Sequence, residues 1–136
     1  MGYVFAEVTL KNSRDTTNAV RGDIKESEIR QKTVQALVDT GCFTLVITEE
    51  IRRELGLEIK GKKGISLADN TRIICQYTEP VDIHWKDRDT ALPAMVVPER
   101  KNVLLGALPL QYMDLIVDPK HEEVIGGHGD DWVCYI

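Results

Sequence analysis

The sequence predicts an all-β protein, a small closed or nearly closed β-barrel with one or two short helices. Short runs rich in β-branched and aromatic residues recur along the chain, and turn-forming residues separate most of them. Only one segment clearly combines the caps and the apolar spacing of a helix. With 136 residues, of which 43% are hydrophobic and 29% charged, the chain is expected to form one domain over residues 1–136.

The first half of the chain contains the shorter strand signals and the clear helix. Strands are predicted over residues 3–10, 28–38 and 45–47. The polar run 12–18 between the first two is predicted to be a turn or loop. Thr48 can cap the helix that follows, and Gly56 suits the position just after its end, so this helix has about two turns.

The second half is predicted to contain two hairpins and a set of short closing elements. Residues 64–68 and 71–77 flank Asp69-Asn70, a pair that tolerates positive φ, and residues 80–85 and 92–97 flank a charged turn at 86–89. Later strands are predicted at 102–105, 115–117 and 123–125, with a short helix starting at Pro109. The tail, residues 126–136, is expected to be a dimerisation segment or a flexible end.

Composition and charge exclude several classes of partner. The net charge of −5 and the dispersed basic residues argue against nucleic acid. No apolar run approaches the ~20 residues of a membrane helix, and the first residues lack the pattern of a signal peptide, so no membrane partner is expected. The three cysteines fit neither a disulfide framework nor a zinc site, and they predict free thiols in a reducing cytoplasm; they are Cys42, Cys75 and Cys134.

The triplet Asp39-Thr40-Gly41 is the strongest candidate for chemistry. It follows the apolar run 36–38, where a carboxylate is costly unless it is hydrogen-bonded, paired or protonated. The glycine allows close approach of a substrate or a second chain, and the threonine hydroxyl can bond backbone groups. Because the chain contains this triplet once, chemistry that needs two matched carboxylates must take the second from another copy.

Four motifs in the same order resemble those of the retropepsin-like, or retroviral-type, aspartic proteases. They are Ala-Leu-Val-Asp-Thr-Gly at 36–41, Val-Ile-Thr at 46–48 with its helix and Leu-Gly-Leu at 55–57, Leu-Ala-Asp-Asn at 67–70, and Val-Leu-Leu-Gly at 103–106 with Leu-Ile-Val-Asp at 115–118. The chain is most similar to the small single-domain bacterial members, over about residues 3–125. A single motif of this length is weak, and the order of four makes the resemblance specific.

The resemblance implies a retropepsin-type barrel that acts as a homodimeric aspartic endopeptidase. Asp39 would be the catalytic carboxylate, Thr40 would bond across the dimer axis, and Gly41 would present its backbone to a peptide or protein substrate. A mobile flap over the cleft would carry Ala68, Asp69 and Asn70 at or near its tip. No metal and no organic cofactor are implied.

Two other interpretations of the sequence remain open. Cys42-Phe43 replaces the usual alanine followed by serine, threonine or aspartate, which motivates a catalytically weak or inactive module for peptide binding or dimerisation. A structural or regulatory protein that docks a partner through its acidic surface and apolar tail is the third interpretation.

Asp118, before Pro119, is a candidate second carboxylate within one chain, although Asp-Pro after a strand is usually a surface turn.

Overall fold

The computed structural model describes residues 2–136 and is dominated by β-strands. The described strands are β1 (Phe5–Asn12), β2 (Gln31–Val38), β3 (Leu45–Ile47), β4 (Ile59–Ser66), β5 (Arg72–Trp85), β6 (Arg88–Val96), β7 (Leu104–Leu105), β8 (Leu115–Asp118) and β9 (Glu123–Gly126). The helices are α1 (Ser13–Val20), α2 (Glu49–Glu54) and α3 (Ala107–Tyr112), with a single 3₁₀ turn at Glu26–Glu28.

The strand pairings of the main sheet close into a ring. Its order is β1-β2-β7-β3-β6-β5, and β5 also pairs with β1. β4 lies outside the ring and pairs with β5 as an antiparallel hairpin, while β8 and β9 form a separate two-stranded sheet. The ring confirms the all-β barrel class predicted from the sequence. Closing the sheet in this way removes most of its free edges.

The interior of the ring holds the main apolar core. Alternate residues of β1 point into it, and α2 packs its Leu55 against the same core. A smaller apolar cluster lies on the opposite face of β3, because Val46 points away from Leu45 and Ile47. The smaller cluster, under the β4–β5 hairpin, contains Val46, Cys75, Met95 and Leu104.

The prediction of a turn or loop at 12–18 is wrong, because this polar segment forms α1. The Asn12 side chain caps the helix by accepting a hydrogen bond of 3.1 Å from the backbone N–H of Asp15. Asp15 is buried and accepts three hydrogen bonds from Arg30, which lies before β2. The described chain therefore has three short α-helices rather than the one or two predicted. The unpredicted helix is α1, which depends on Arg30, a distant residue that local patterns do not reveal.

The second hairpin also differs in detail from the prediction. β5 continues without a break through 78–79, where the Thr78 hydroxyl accepts a hydrogen bond of 3.1 Å from the Ala94 N–H and the register with β6 shifts. The predicted four-residue turn at 86–89 is shorter, because Trp85 already pairs with Arg88 and Lys86 takes a positive φ. One continuous strand thus runs from the β4–β5 hairpin into the ring.

The predicted caps of α2 are confirmed, and the tail is attached to the rest of the chain. The Thr48 hydroxyl accepts a hydrogen bond of 3.1 Å from the Ile51 N–H, and Gly56 follows the helix with φ of +62°. In the tail, the Val133 N–H donates to the Asp114 carboxylate at 3.1 Å. No helix over residues 2–136 has the length and apolar character needed to cross a membrane.

Candidate active site

Asp39 lies on a tight turn at the end of β2. Its backbone N–H donates to the Leu105 carbonyl at 3.0 Å, so the turn is fixed to β7. Its Oδ1 accepts a hydrogen bond of 3.0 Å from the Gly41 N–H, and its carbonyl accepts one of 3.0 Å from the Cys42 N–H. Both the backbone and the carboxylate of Asp39 are therefore oriented by the turn that follows them.

The turn is held from behind by the segment that starts α3. The Gly106 N–H donates to the Thr44 carbonyl at 3.0 Å, and the first N–H groups of α3 donate to the carbonyls of Cys42 and Phe43 at 2.8 and 2.9 Å. A Cβ atom on Gly106 would lie 2.5 Å from the Cys42 carbonyl oxygen and 2.8 Å from the Thr44 nitrogen. This contact is the physical reason for the glycine that ends the fourth motif.

A groove of about 650 Å³ separates this turn from the β4–β5 hairpin. Asp39 and Gly41 line it on one side, and Ala68 of the hairpin lines it on the other. Most of the remaining wall is apolar, and Asp39 is the only carboxylate among the residues that line it. The structure thus brings the turn and part of the predicted flap to one cleft.

The tip of the hairpin has the turn geometry that its sequence predicts. Asn70 adopts a φ of +68°, and the Leu67 N–H donates to the Thr71 carbonyl at 2.8 Å. The Asp69 carboxylate accepts hydrogen bonds from the hydroxyl and N–H of Thr71, which lower the pKa of Asp69. Asp69 and Asn70 lie at the tip, whereas Ala68 reaches the groove.

Asp39 is not sheltered within one chain, although the apolar run 36–38 precedes it. Asp39 and Thr40 are both exposed, whereas Leu37 and Val38 immediately before them are half-buried. The difference arises because β2 ends at Val38 and the turn carries the next residues to the mouth of the groove. Over residues 2–136, Asp39 therefore remains open to solvent.

The two residues that depart from the family pattern also line the groove. Burial raises the pKa of the Cys42 thiol, and the charge of Asp39 adds to that increase. The thiol also donates a hydrogen bond of 3.4 Å to the Thr44 carbonyl. The thiol therefore stays protonated near neutral pH and is a poor nucleophile. Phe43 is 71% exposed, so its ring is available to contact a bound molecule or a second chain.

Lys63, Tyr77 and Arg100 also line the groove and were not predicted from the sequence. The signal for Lys63 was present in the alternation of strand residues, because Lys63 shares a face with Ile65, two positions along β4. It was missed because the strand was predicted to begin at residue 64, whereas β4 begins at Ile59.

A separate polar cluster lies at the turn between β8 and β9. Possible ligand atoms of Asp118, His121 and Glu123 lie within 4.8 Å of one another. His121 Nδ1 and an oxygen of Asp118 are 2.7 Å apart, and this hydrogen bond raises the pKa of His121 and lowers that of Asp118. Asp118 therefore closes an exposed turn, as its Asp-Pro sequence predicts, and it does not line the Asp39 groove.

Comparison with known proteins identifies the family. A family model described as aspartyl protease matches residues 25–107, which is more than half of the 136-residue chain. The chain therefore belongs to the aspartyl protease family, and the resemblance based on the four motifs is confirmed. The matched segment includes the Asp39 turn, the β4–β5 hairpin and Gly106.

Solved structures give a weaker likeness. EIAV protease in complex with the inhibitor HBY-793 is 23% identical and has a TM-score of 0.49, over 81% of this chain and 86% of that chain. A search of curated proteins returned no significant match.

Proposed function

We propose that the chain is a homodimeric aspartic endopeptidase in which each subunit contributes one Asp39. The observation that carries the proposal is that Asp39 is the only carboxylate lining the groove and is exposed at its mouth. A mechanism with two carboxylates then requires a second copy of the chain. That copy would also cover the exposed turn and remove it from water.

Two Asp39 carboxylates facing each other would share one proton, because both cannot remain ionised at close range. The ionised carboxylate would accept a proton from a bound water as its oxygen attacks the peptide carbonyl carbon. The protonated carboxyl would donate a hydrogen bond to the carbonyl oxygen. Breakdown of the intermediate would return a proton to the departing amine and free the new carboxyl end of the peptide.

The other groups of the turn have supporting roles in this proposal. The Thr40 hydroxyl, exposed beside Asp39, would bond the partner's turn across the two-fold axis. Gly41, which lines the groove, would let the substrate backbone pass close to the turn. The hairpin tip, with Ala68, Asp69 and Asn70, would close over a peptide bound between it and the two carboxylates.

The substrate we propose is an extended peptide or a segment of a protein. An extended backbone can add strand-like hydrogen bonds to the hairpin, and the apolar wall can take its alternate side chains. We place the protein in the cytoplasm, where the three thiols, which form no disulfide over residues 2–136, would stay reduced. No step of this mechanism uses a metal or an organic cofactor.

The test is the variant Asp39→Asn, assayed for peptide cleavage and for oligomeric state. We expect cleavage to fall by at least about 10³-fold, because the variant removes the group that accepts the proton from water. Sedimentation should still show a dimer, and a statine-type inhibitor should bind the unmodified protein under mildly acidic conditions. Asp118→Asn is the matched control, since Asp118 lies outside the groove, and it should cleave normally.

Two results would reject the peptidase proposal. One is undiminished cleavage by Asp39→Asn. The other is a protein that stays monomeric at high concentration, because one chain supplies only one groove carboxylate.

Cys42-Phe43 favours a second candidate, a module that binds peptides with little or no turnover. These residues place a thiol and an exposed aromatic ring where the family usually has smaller or hydrogen-bonding side chains. Peptides that bind the groove but remain uncleaved from pH 3 to 8 would favour this candidate over the peptidase.

A further inference from the structure

The inner face of the β4–β5 hairpin carries one positive charge among apolar neighbours. Residues that are paired in an antiparallel register point to the same side of the sheet, and every second pair shares a face. The pairs on the inner face are Gly61 with Tyr77, Lys63 with Cys75, and Ile65 with Ile73. Lys63 is therefore the only charged side chain that these six residues present to the groove.

The Lys63 ammonium has no anionic partner in the part of the chain that the structure describes. It lies 4.6 Å from the centre of the Tyr77 ring, a cation–π contact that holds the side chain over the hairpin. Over residues 2–136, no carboxylate lies within ion-pair distance of Lys63, although five other lysine or arginine side chains form such pairs with aspartate or glutamate at closer than 3.5 Å. Its charge is thus available to a molecule that enters the groove.

A second cation lines the same groove. Arg100 follows β6, lines the groove, and forms no ion pair over the described residues. The groove therefore contains two positive side chains and one negative side chain, Asp39, in a chain whose net charge is −5. The local excess of positive charge is opposite in sign to the rest of the protein.

We propose that Lys63 and Arg100 select peptides that carry a carboxylate side chain, aspartate or glutamate, beside the apolar residues that fill the groove. This inference rests on the proposed function because it places a peptide in the same groove. In a dimer, two copies would supply four cations, and two Asp39 carboxylates that share a proton would supply one negative charge. The groove thus attracts an acidic side chain despite its own catalytic carboxylates.

The strength of this selection follows from the type of bond. Hydrogen bonds from an ammonium or guanidinium to a carboxylate are about twice as strong as neutral ones. A bound peptide and the hairpin above it would also exclude water from Lys63, which strengthens the attraction. We expect a glutamate peptide to bind about tenfold more tightly than its glutamine counterpart. The preference should weaken as salt is added.

The experiment compares peptide pairs that differ only by glutamate or glutamine. Apolar octapeptides with the variable residue placed at each of four central positions are titrated by fluorescence anisotropy against the unmodified protein and against Asp39→Asn. At one or more positions the glutamate form should bind about tenfold more tightly. Lys63→Met and Arg100→Met should each reduce that ratio, and the double variant should bring it close to one. Lys63→Glu should shift the preference to a lysine peptide.

Lys62→Met is the matched control, because Lys62 pairs with Gln76 on the outer face of the same hairpin. It removes an equal charge from the next residue, and the ratio should stay unchanged. A ratio near one at all four positions would overturn the proposal, as would a preference that survives the double variant or a failure of every peptide to bind.

The outcome also separates this inference from the proposed function. Cleavage of glutamate and glutamine peptides at equal kcat/KM would reject the selection by Lys63 and Arg100 and keep the peptidase. Preferential binding of glutamate peptides without any cleavage would reject the peptidase and keep the selection.

Discussion

Arg88 connects three parts of the chain, and its replacement by methionine tests how the tail is held. The residue is 2% exposed and begins β6. Its Nη1 donates to the carbonyls of Met113 and Asp114 at 3.0 and 2.8 Å, and its Nη2 donates to those of Gly129 and Asp131 at 2.8 and 3.1 Å. The guanidinium thus joins the β5–β6 turn, the end of α3 and the tail.

The cost of Arg88→Met can be worked from these bonds. Four hydrogen bonds from a charged donor, at about 1.5 kcal/mol each, amount to about 6 kcal/mol. The buried Nε has no hydrogen-bond partner within the described chain, so its removal is favourable by about 1–3 kcal/mol and offsets part of this cost. The free energy of unfolding should therefore fall by about 3–5 kcal/mol. At about 2.1 cal/mol/K per residue, this lowers the Tm by about 10–17 °C.

Urea denaturation followed by tryptophan fluorescence measures this change, because the Trp85 ring centre lies 5.9 Å from the Arg88 guanidinium carbon. Hydrogen exchange over residues 128–133 should also become faster, since the tail loses two of its bonds. Arg53→Met is the control: Arg53 is 74% exposed and pairs with Glu49 on the same helix, so it should cost under about 0.5 kcal/mol. A cost below about 1 kcal/mol for Arg88→Met would refute this reasoning.

Two further predictions concern acid pH and the support of the Asp39 turn. The hydrogen bond from the Arg30 guanidinium lowers the pKa of Asp15, so its stabilisation is present above its unfolded pKa of about 4 and is lost as the pH falls further. The Tm should therefore decline below about pH 4, and less so in Asp15→Asn; a Tm that is constant from pH 5 to 3 would contradict this. Gly106→Ala should cost about 1–3 kcal/mol and reduce kcat by displacing the turn behind Asp39, whereas Gly64→Ala, with open space around its Cβ, should leave the free energy of unfolding nearly unchanged. Equal unfolding curves for the two glycine variants would refute the second prediction.

Local signals were sufficient to predict most strands of the ring. Alternating or short apolar runs gave β1, β3 and β7 nearly at their observed bounds, because each depends on residues within the element itself. The capped helix α2 was predicted for the same reason. The helix α1 was not, since its polar sequence also suits a turn and the choice depends on Arg30, which lies 15 residues from Asp15.

The Asp39 turn and the hairpin tip of the candidate site were located from the sequence, but the charged residues of the groove walls were not. The motif located the Asp39 turn, and the tolerance of asparagine for positive φ located the hairpin tip at Asn70. Lys63 and Arg100 were not predicted, because tertiary structure rather than local pattern decides which residues line the groove. Here β5 runs from the hairpin into the ring and brings the strand faces of the groove together. Asp39 itself is exposed because its apolar neighbours precede the end of the strand and the turn begins after them.

The pH range of activity is expected to be limited by groups outside the groove. A pair of carboxylates that shares a proton works under acidic conditions. Further acidification, below about pH 4, protonates Asp15 and breaks its attachment to Arg30. Asp15 anchors α1 to Arg30, which directly precedes the strand that leads to Asp39, so its protonation is expected to loosen the support of the Asp39 turn from a distance. If activity and Tm decline together as the pH is lowered, the fold sets the acid limit. If activity declines while the Tm is still constant, the chemistry of the two carboxylates sets it.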